Sequence, residues 1–134
     1  METALSRYTP TILSLLRIAV ALLFMAHGTG MLFAFPSANP AAAVAPAMFS
    51  MYWFAAWIEV IGGILMILGL FTRPVAFILS GEMAFAYFIG HSPRNFYPLL
   101  NGGDAAALYC FIFFYFAAAG AGPLSLDATM RNKG

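Results

Sequence analysis

The chain has 134 residues, of which 63% are hydrophobic and 8% charged, and its formal net charge is +1. A soluble domain is typically about 25% charged and 45–50% apolar, so this composition excludes an ordinary water-soluble domain and indicates an integral membrane protein. The near-neutral balance argues against nucleic acid as a partner, and four helices of about 20 residues with short loops nearly exhaust the length, leaving no room for a second domain.

Residues 1–9 form a short polar start. Thr9-Pro10-Thr11 reads as a helix start, with Thr9 as cap and Pro10 at the first helical position. The first span is expected over about residues 10–34. A cleaved signal segment is the competing reading, because small residues follow in FPSANPAAAVAPA. The apolar stretch is too long for a signal core, and Arg17 interrupts it. Pro36, Pro40 and Pro46 make residues 35–47 a loop. The second span is expected over 48–71, with Tyr52, Trp53 and Trp57 near its start as an interfacial aromatic belt. About a dozen strongly apolar residues at roughly −0.3 to −0.6 kcal/mol each outweigh the insertion cost of its single Glu59, about 3 kcal/mol. Thr72-Arg73-Pro74 reads as a tight turn from which Pro74 starts the third span, 74–90. Residues 91–103, rich in Pro, Asn and Gly, form a second loop. The fourth span is expected over 104–121, with Asp104 favourably placed at a helix N-terminus, and a polar tail follows. Cys110, the one cysteine, lies in this last apolar run, so an intramolecular disulfide and a CxxC redox pair are both excluded.

The expected fold is thus an all-α, integral membrane four-helix bundle forming a single domain. Arg7, Arg73, Arg131 and Lys133 fall on one side and Arg94 alone on the other, so the positive-inside rule places both termini in the cytoplasm.

Three ionisable residues interrupt the apolar stretches: Arg17 in SLLRIAVALLFMAHG, Glu59 in FAAWIEVIGGILMILGLF, and Glu82 in VAFILSGEMAFAYFIGH. A charge near the bilayer centre costs roughly 2.5–3.5 kcal/mol on insertion scales, so such residues face the bundle interior and pair. At 1.5 Å per residue, Arg17 lies roughly 10 Å from the cytoplasmic end, Glu82 roughly 12 Å and Glu59 roughly 18 Å. The expectation is that all three meet in one inner cluster. A second, outer group consists of His27, roughly 25 Å along the first span, with His91 and Asp104 at the outer ends of spans three and four.

AHGTGML at 26–32, EVIGGILMILGLFTRP at 59–74, the stretch from Glu82 to His91, NGGDAAALY at 101–109 and GAGPLSLD at 120–127 together resemble the DoxX family of small four-helix membrane proteins. The resemblance runs from about Leu16 to Asp127. It implies a bacterial inner-membrane protein belonging to an oxidoreductase system, since the relatives include the membrane subunit associated with thiosulfate:quinone oxidoreductase. A soluble or membrane redox partner is implied in the same way. Two departures stand out: Asp104 where the family usually has Glu, and Met31 where it often has Lys. The second removes a charge near the outer end of span one.

Two readings of the inner cluster stay open. Arg17, Glu59 and Glu82 either form a buried ion-pair network that fixes helix register, or provide a proton path and a polar anchor for a quinone head group. A carboxyl that takes up and releases a proton is what proton-coupled quinone chemistry needs. His27, His91 and Asp104 are either an interfacial pair and a helix cap, or a metal or haem ligand set suited to zinc, iron or copper. Gly28, Gly30, Gly62, Gly63 and Gly69 suit close helix packing and permit a homodimer. The aromatic runs 85–88 and 111–116 either face lipid and core or line a quinone slot. No phosphate loop, nucleophile elbow or flavin motif is present, so any redox chemistry falls to a cofactor or partner. The chief alternative to a quinone-interacting subunit is a non-catalytic membrane scaffold or small-molecule transporter.

Overall fold

The computed structural model describes residues 4–132 and is helical throughout them, with no strand. Lys133, counted in the charge asymmetry above, and residues 1–3 of the polar start lie outside the described residues. Helix α1 covers Thr9–Phe33, α2 Met51–Leu68, α3 Thr72–Ala86, α4 Pro98–Asn101, α5 Asp104–Ala119 and α6 Leu126–Arg131. A π-helical turn, Tyr87–His91, prolongs α3. Helices α1 and α2 are long and apolar enough to cross a bilayer, whereas α5 is apolar but shorter.

Local chemistry explains most boundaries. Pro10 sits in the first turn of α1, where its missing N–H has no intrahelical acceptor to lose. Thr9 is itself helical, and the cap is Tyr8 without a side-chain bond, so the expected Thr9 cap is not formed. Ser50 caps α2 by accepting from the Trp53 N–H at 3.2 Å. Gly69, at φ +64°, closes α2 in the left-handed conformation that glycine adopts without steric cost. The span therefore stops at Leu68, short of the expected residue 71. Thr72-Arg73-Pro74 is not a turn before the helix but the first turn of α3. Pro74 is tolerated there because the first four N–H groups of a helix have no partner within it. Gly120 and Gly122, at φ +85° and +77°, end the fourth long helix at Ala119 rather than 121. Two short helices, α4 and α6, lie in segments expected to be loop and tail.

Helix α1 packs chiefly on α2, and α3 chiefly on α5, with fewer contacts between α2 and α3. Val20, Ala21 and Phe24 of α1, Met66 of α2, Leu79 and Met83 of α3, and Phe113 and Phe116 of α5 form the core. Phe24 meets Phe113 edge-to-face at 4.8 Å between ring centres. Outside this core the large apolar side chains point outward from every long helix: Leu22, Leu23, Ile61, Phe77, Ile78, Phe85, Phe111 and Phe114 are all exposed. In water such continuous apolar surface is an aggregation liability; against lipid it costs nothing.

The tail closes one end of the bundle. Arg17, fully buried, donates from Nη1 to Met66 O at 3.1 Å and from Nη2 to Leu124 O at 2.6 Å. Ser14 Oγ accepts from the Leu124 N–H at 3.1 Å. The Asp127 carboxylate accepts from the N–H groups of Phe71 and Thr72 at 2.8 and 2.9 Å and so caps α3 from the tail. The Asp127 N–H returns to Gly69 O at 2.9 Å. Arg73 donates to the carbonyls of Ala117 and Ala118, which end α5, as a cation at a helix C-terminus should. Partial burial disfavours the charged form of Asp127. The hydrogen bonds from Thr72 and Phe71, with the Arg17 guanidinium nearby, outweigh it and hold the carboxyl below its ordinary value.

The sign of the pH effect follows. A carboxyl depressed in the folded state stabilises above its unfolded value and loses that contribution as pH falls through the folded value. Asp127→Asn should cost about 1.5–3 kcal/mol at neutral pH, the scale of hydrogen bonds to a charged group, measured by unfolding in detergent. The gap to the parent protein should shrink on acidification from about pH 4 downward. A gap independent of pH would contradict the capping role.

Candidate functional site

The polar residues separate into two places, and the division differs from the sequence expectation. Arg17 does not meet the glutamates. Its long side chain runs toward the end of α2, where Met66 O, which also accepts from the Gly69 N–H, and the tail receive it, and the carboxylate near it is Asp127. Glu59 and Glu82 instead share a cavity of about 200 Å³ between α2 and α3, lined also by Met31, Met51, Tyr52 and Phe85. Glu59 further borders a second cavity of about 250 Å³, together with Phe24, His27, His91, Ala105 and Tyr109. Glu59, Met83, Ala86 and His91 belong to both walls.

Glu59 is only 7% exposed. Its Oε2 and both oxygens of Glu82 are buried without a hydrogen-bond partner. Leaving such groups unsatisfied costs about 1–3 kcal/mol each, more when charged. Two carboxyls in an apolar chamber with no lysine or arginine in its walls therefore call for a proton or a polar ligand. This is the strongest chemical feature of the structure.

Backbone geometry fixes Glu59. Gly28 of α1 lies against α2 so closely that an added Cβ would come within 2.6 Å of Ala56 O and 2.9 Å of Glu59 Cβ. Only glycine permits that approach. On the other side, the π turn carries His91 to the chamber, the kind of local irregularity common at functional sites. Its Nδ1 lies 3.1 Å from Asn101 O and 3.3 Å from Arg94 Nη2. Tyr87 donates to Phe96 O, and Asn101 holds both Tyr87 and Asn95 O, so the loop after the π turn is tied down by its own side chains.

The outer histidines are brought to one cavity, but Asp104 is not. His27 is exposed, with Nδ1 3.0 Å from Leu23 O and its ring edge-on to Tyr109. A ring nitrogen facing a carbonyl must carry the proton, which leaves Nε2 as the acceptor. Asp104 is exposed in the first turn of α5, where the helix dipole favours it. Among the described residues, no three His, Cys, Asp or Glu side chains gather as a metal site would require, and Asp104 stays apart from His27 and His91, as the helix-cap alternative has it. Cys110 is half-buried, its sulfur 3.6 Å from Ser80 Oγ.

Two contributors escaped the sequence reading. Tyr109 lies one helical turn before Phe113 and so shares its face, a spacing that was legible. Asp127 stands in GAGPLSLD, a segment picked out only by resemblance. A further cavity of about 630 Å³ lies at the tail end between Thr9, Arg73, Gly122, Asp127 and Arg131. Its walls come from the tail-side ends of α1, α3 and α5, from α6 and from the loop between α5 and α6, and two of its charged groups, Arg73 and Asp127, already serve as helix caps.

These features define an all-helical protein built for an apolar surround, with an acidic chamber inside it. The family model for DoxX matches residues 12–92, from the start of α1 to just past the π turn, and the chain belongs to the DoxX family, a family of membrane proteins. An uncharacterized protein of Haemophilus influenzae is similar over nearly its whole length, 46% identical across 134 residues, or 96% of this chain and 98% of its own. No solved structure matches.

Gly28→Ala should destabilise the protein by about 1–3 kcal/mol, the cost of overpacking, in detergent unfolding. Gly81→Ala, where nothing lies within 4 Å of the new methyl, should be neutral or stabilising by up to about 1 kcal/mol. Equal losses at the two positions would contradict the close approach of α1 at Glu59.

Proposed function

We propose that this protein is a four-helix membrane subunit of an oxidoreductase system, which holds a quinone head group in the chamber of Glu59 and Glu82. The unpartnered carboxyl oxygens carry the reading. A protonated carboxyl donates to a quinone carbonyl, and an ionised one accepts from a quinol hydroxyl. Met31, Met51, Tyr52, Phe85 and Ile89 supply the adaptable apolar wall that a flat ring needs. The quinone would supply the electron chemistry; the chain binds, orients and exchanges protons. His27, His91 and Tyr109 add polar groups on the second side of Glu59.

Four spans fit the lengths. Helix α3 with its π turn runs from Thr72 to His91, about 30 Å at 1.5 Å per residue, and α5 supplies about 24 Å. Both carry outward apolar side chains. Arg73 and Arg131 border the tail-end cleft beside Thr9, whereas Arg94 lies in the loop at the other end. That asymmetry supports cytoplasmic termini in a bacterial inner membrane. A scaffold role has one specific observation in its favour: both bonds of Arg17 go to backbone carbonyls, which makes that residue a brace rather than part of the binding site.

Titration of a short-chain benzoquinone into the purified protein tests the reading. Binding should be saturable and weaken about tenfold in Glu82→Gln, the equivalent of one hydrogen bond or roughly 1.4 kcal/mol. Asp104→Asn should bind like the parent. No saturable binding, or binding untouched by Glu82→Gln, overturns it.

A further inference from the structure

We propose that the Glu59–Glu82 pair exchanges protons with only one side of the membrane, the side of the 35–50 and 91–103 loops, by way of the second cavity. The inference goes beyond the quinone reading and needs no quinone. It stands on how the two cavities share their walls. Glu82 borders only the cavity between α2 and α3, while His27 and Tyr109 border only the second one. Glu59 and His91 stand in both. The second cavity also includes Gly102 and Ala105, at the loop-side start of α5. Glu59 is more than nine-tenths buried, and one of its oxygens has no partner, so a polar atom able to carry a proton lies between the two spaces.

Toward the tail the described residues place an apolar layer next to the carboxyls. Below the carboxyls come Ala21, Phe24, Met66, Ala76, Leu79, Phe113 and Phe116, each no more than 1% exposed. Among the described residues Ser80 lies in this layer with its hydroxyl donating to Cys110 O at 2.8 Å, and the buried Thr72 hydroxyl lies beyond the layer, at the start of α3. Beyond them Arg17 seals the end with bonds to Met66 and Leu124. A fixed cation above a dry apolar layer opposes proton entry from that side. The titratable and charged groups facing the pair come from all four long elements. They are His27 on α1, Tyr52 on α2, His91 on the π turn and Tyr109 on α5, with Arg94 against His91.

Sealed vesicles containing the full chain in one known orientation provide the test. Dicyclohexylcarbodiimide enters lipid and modifies protonated buried carboxyls, and peptide mass spectrometry quantifies modification at Glu59 and Glu82. With the tail-side pH clamped, acidifying the loop side should raise the modification rate, by up to about tenfold per pH unit. Acidifying the tail side alone should leave it unchanged. In His91→Gln the response to a loop-side pH jump should slow several-fold, while the final extent of modification is kept. Modification that follows tail-side pH, or follows both sides equally or neither, overturns the proposal. The assay contains no quinone, so its failure and a failure of quinone binding are separate results.

Discussion

Arg17 spreads its two terminal nitrogens between the last carbonyls of α2 and the backbone of the tail, and the closure of the bundle depends on that fork. A buried guanidinium must find acceptors, and in an apolar helix pair a carbonyl at a helix end, with a second lone pair to offer, is within reach. Leu124 can be an acceptor only if the chain doubles back across the bundle, which Gly120 and Gly122 allow by adopting positive φ. Asp127 then arrives at the N-terminus of α3 and satisfies two amide groups there. One buried cation thereby sets the path of the tail, and the tail caps a helix distant from it in sequence.

The same constraint has a different outcome half a helix away. Glu59 and Glu82 also lie among apolar side chains, yet most of their buried oxygens have no partner in the chain. Among the described residues no lysine or arginine lines their cavities, and Arg17 is committed elsewhere. Each end of the bundle therefore has its own electrostatics: one braced through Arg17 and Asp127, the other with carboxyl oxygens that have no partner. The first braces the fold; the second is where the proposed binding and proton exchange would take place. Gly28 contributes to the second by letting α1 press on the backbone that carries Glu59.

Much of this was legible in the sequence, for identifiable reasons. Apolar length marked α1 and α2, the two helices long enough to cross a bilayer, and proline and glycine marked most of the breaks. The interruption of apolar runs by Arg17, Glu59 and Glu82 singled out charged groups that the fold does bury, because burial of charge is visible in sequence wherever hydropathy is continuous. Their partnering was not legible. Depth along a helix axis says nothing about which way a long side chain turns, and Arg17 turned toward backbone carbonyls, which leave no mark in a sequence. Asp127 was missed because a capping residue 55 positions from Thr72 has no local signature. His27 and His91 reached a common cavity, whereas Asp104, three residues after Asn101, was directed outward by the first turn of α5.

The separation of Arg17 from the two glutamates is the claim on which this account turns, and double-mutant cycles address it directly. Unfolding free energies in detergent would be measured for Arg17→Gln paired with Asp127→Asn, and for Arg17→Gln paired with Glu59→Gln. The account predicts a coupling on the order of 0.5–3 kcal/mol for the first pair and additivity within about 0.5 kcal/mol for the second. Strong coupling of Arg17 to Glu59, with none to Asp127, would contradict it.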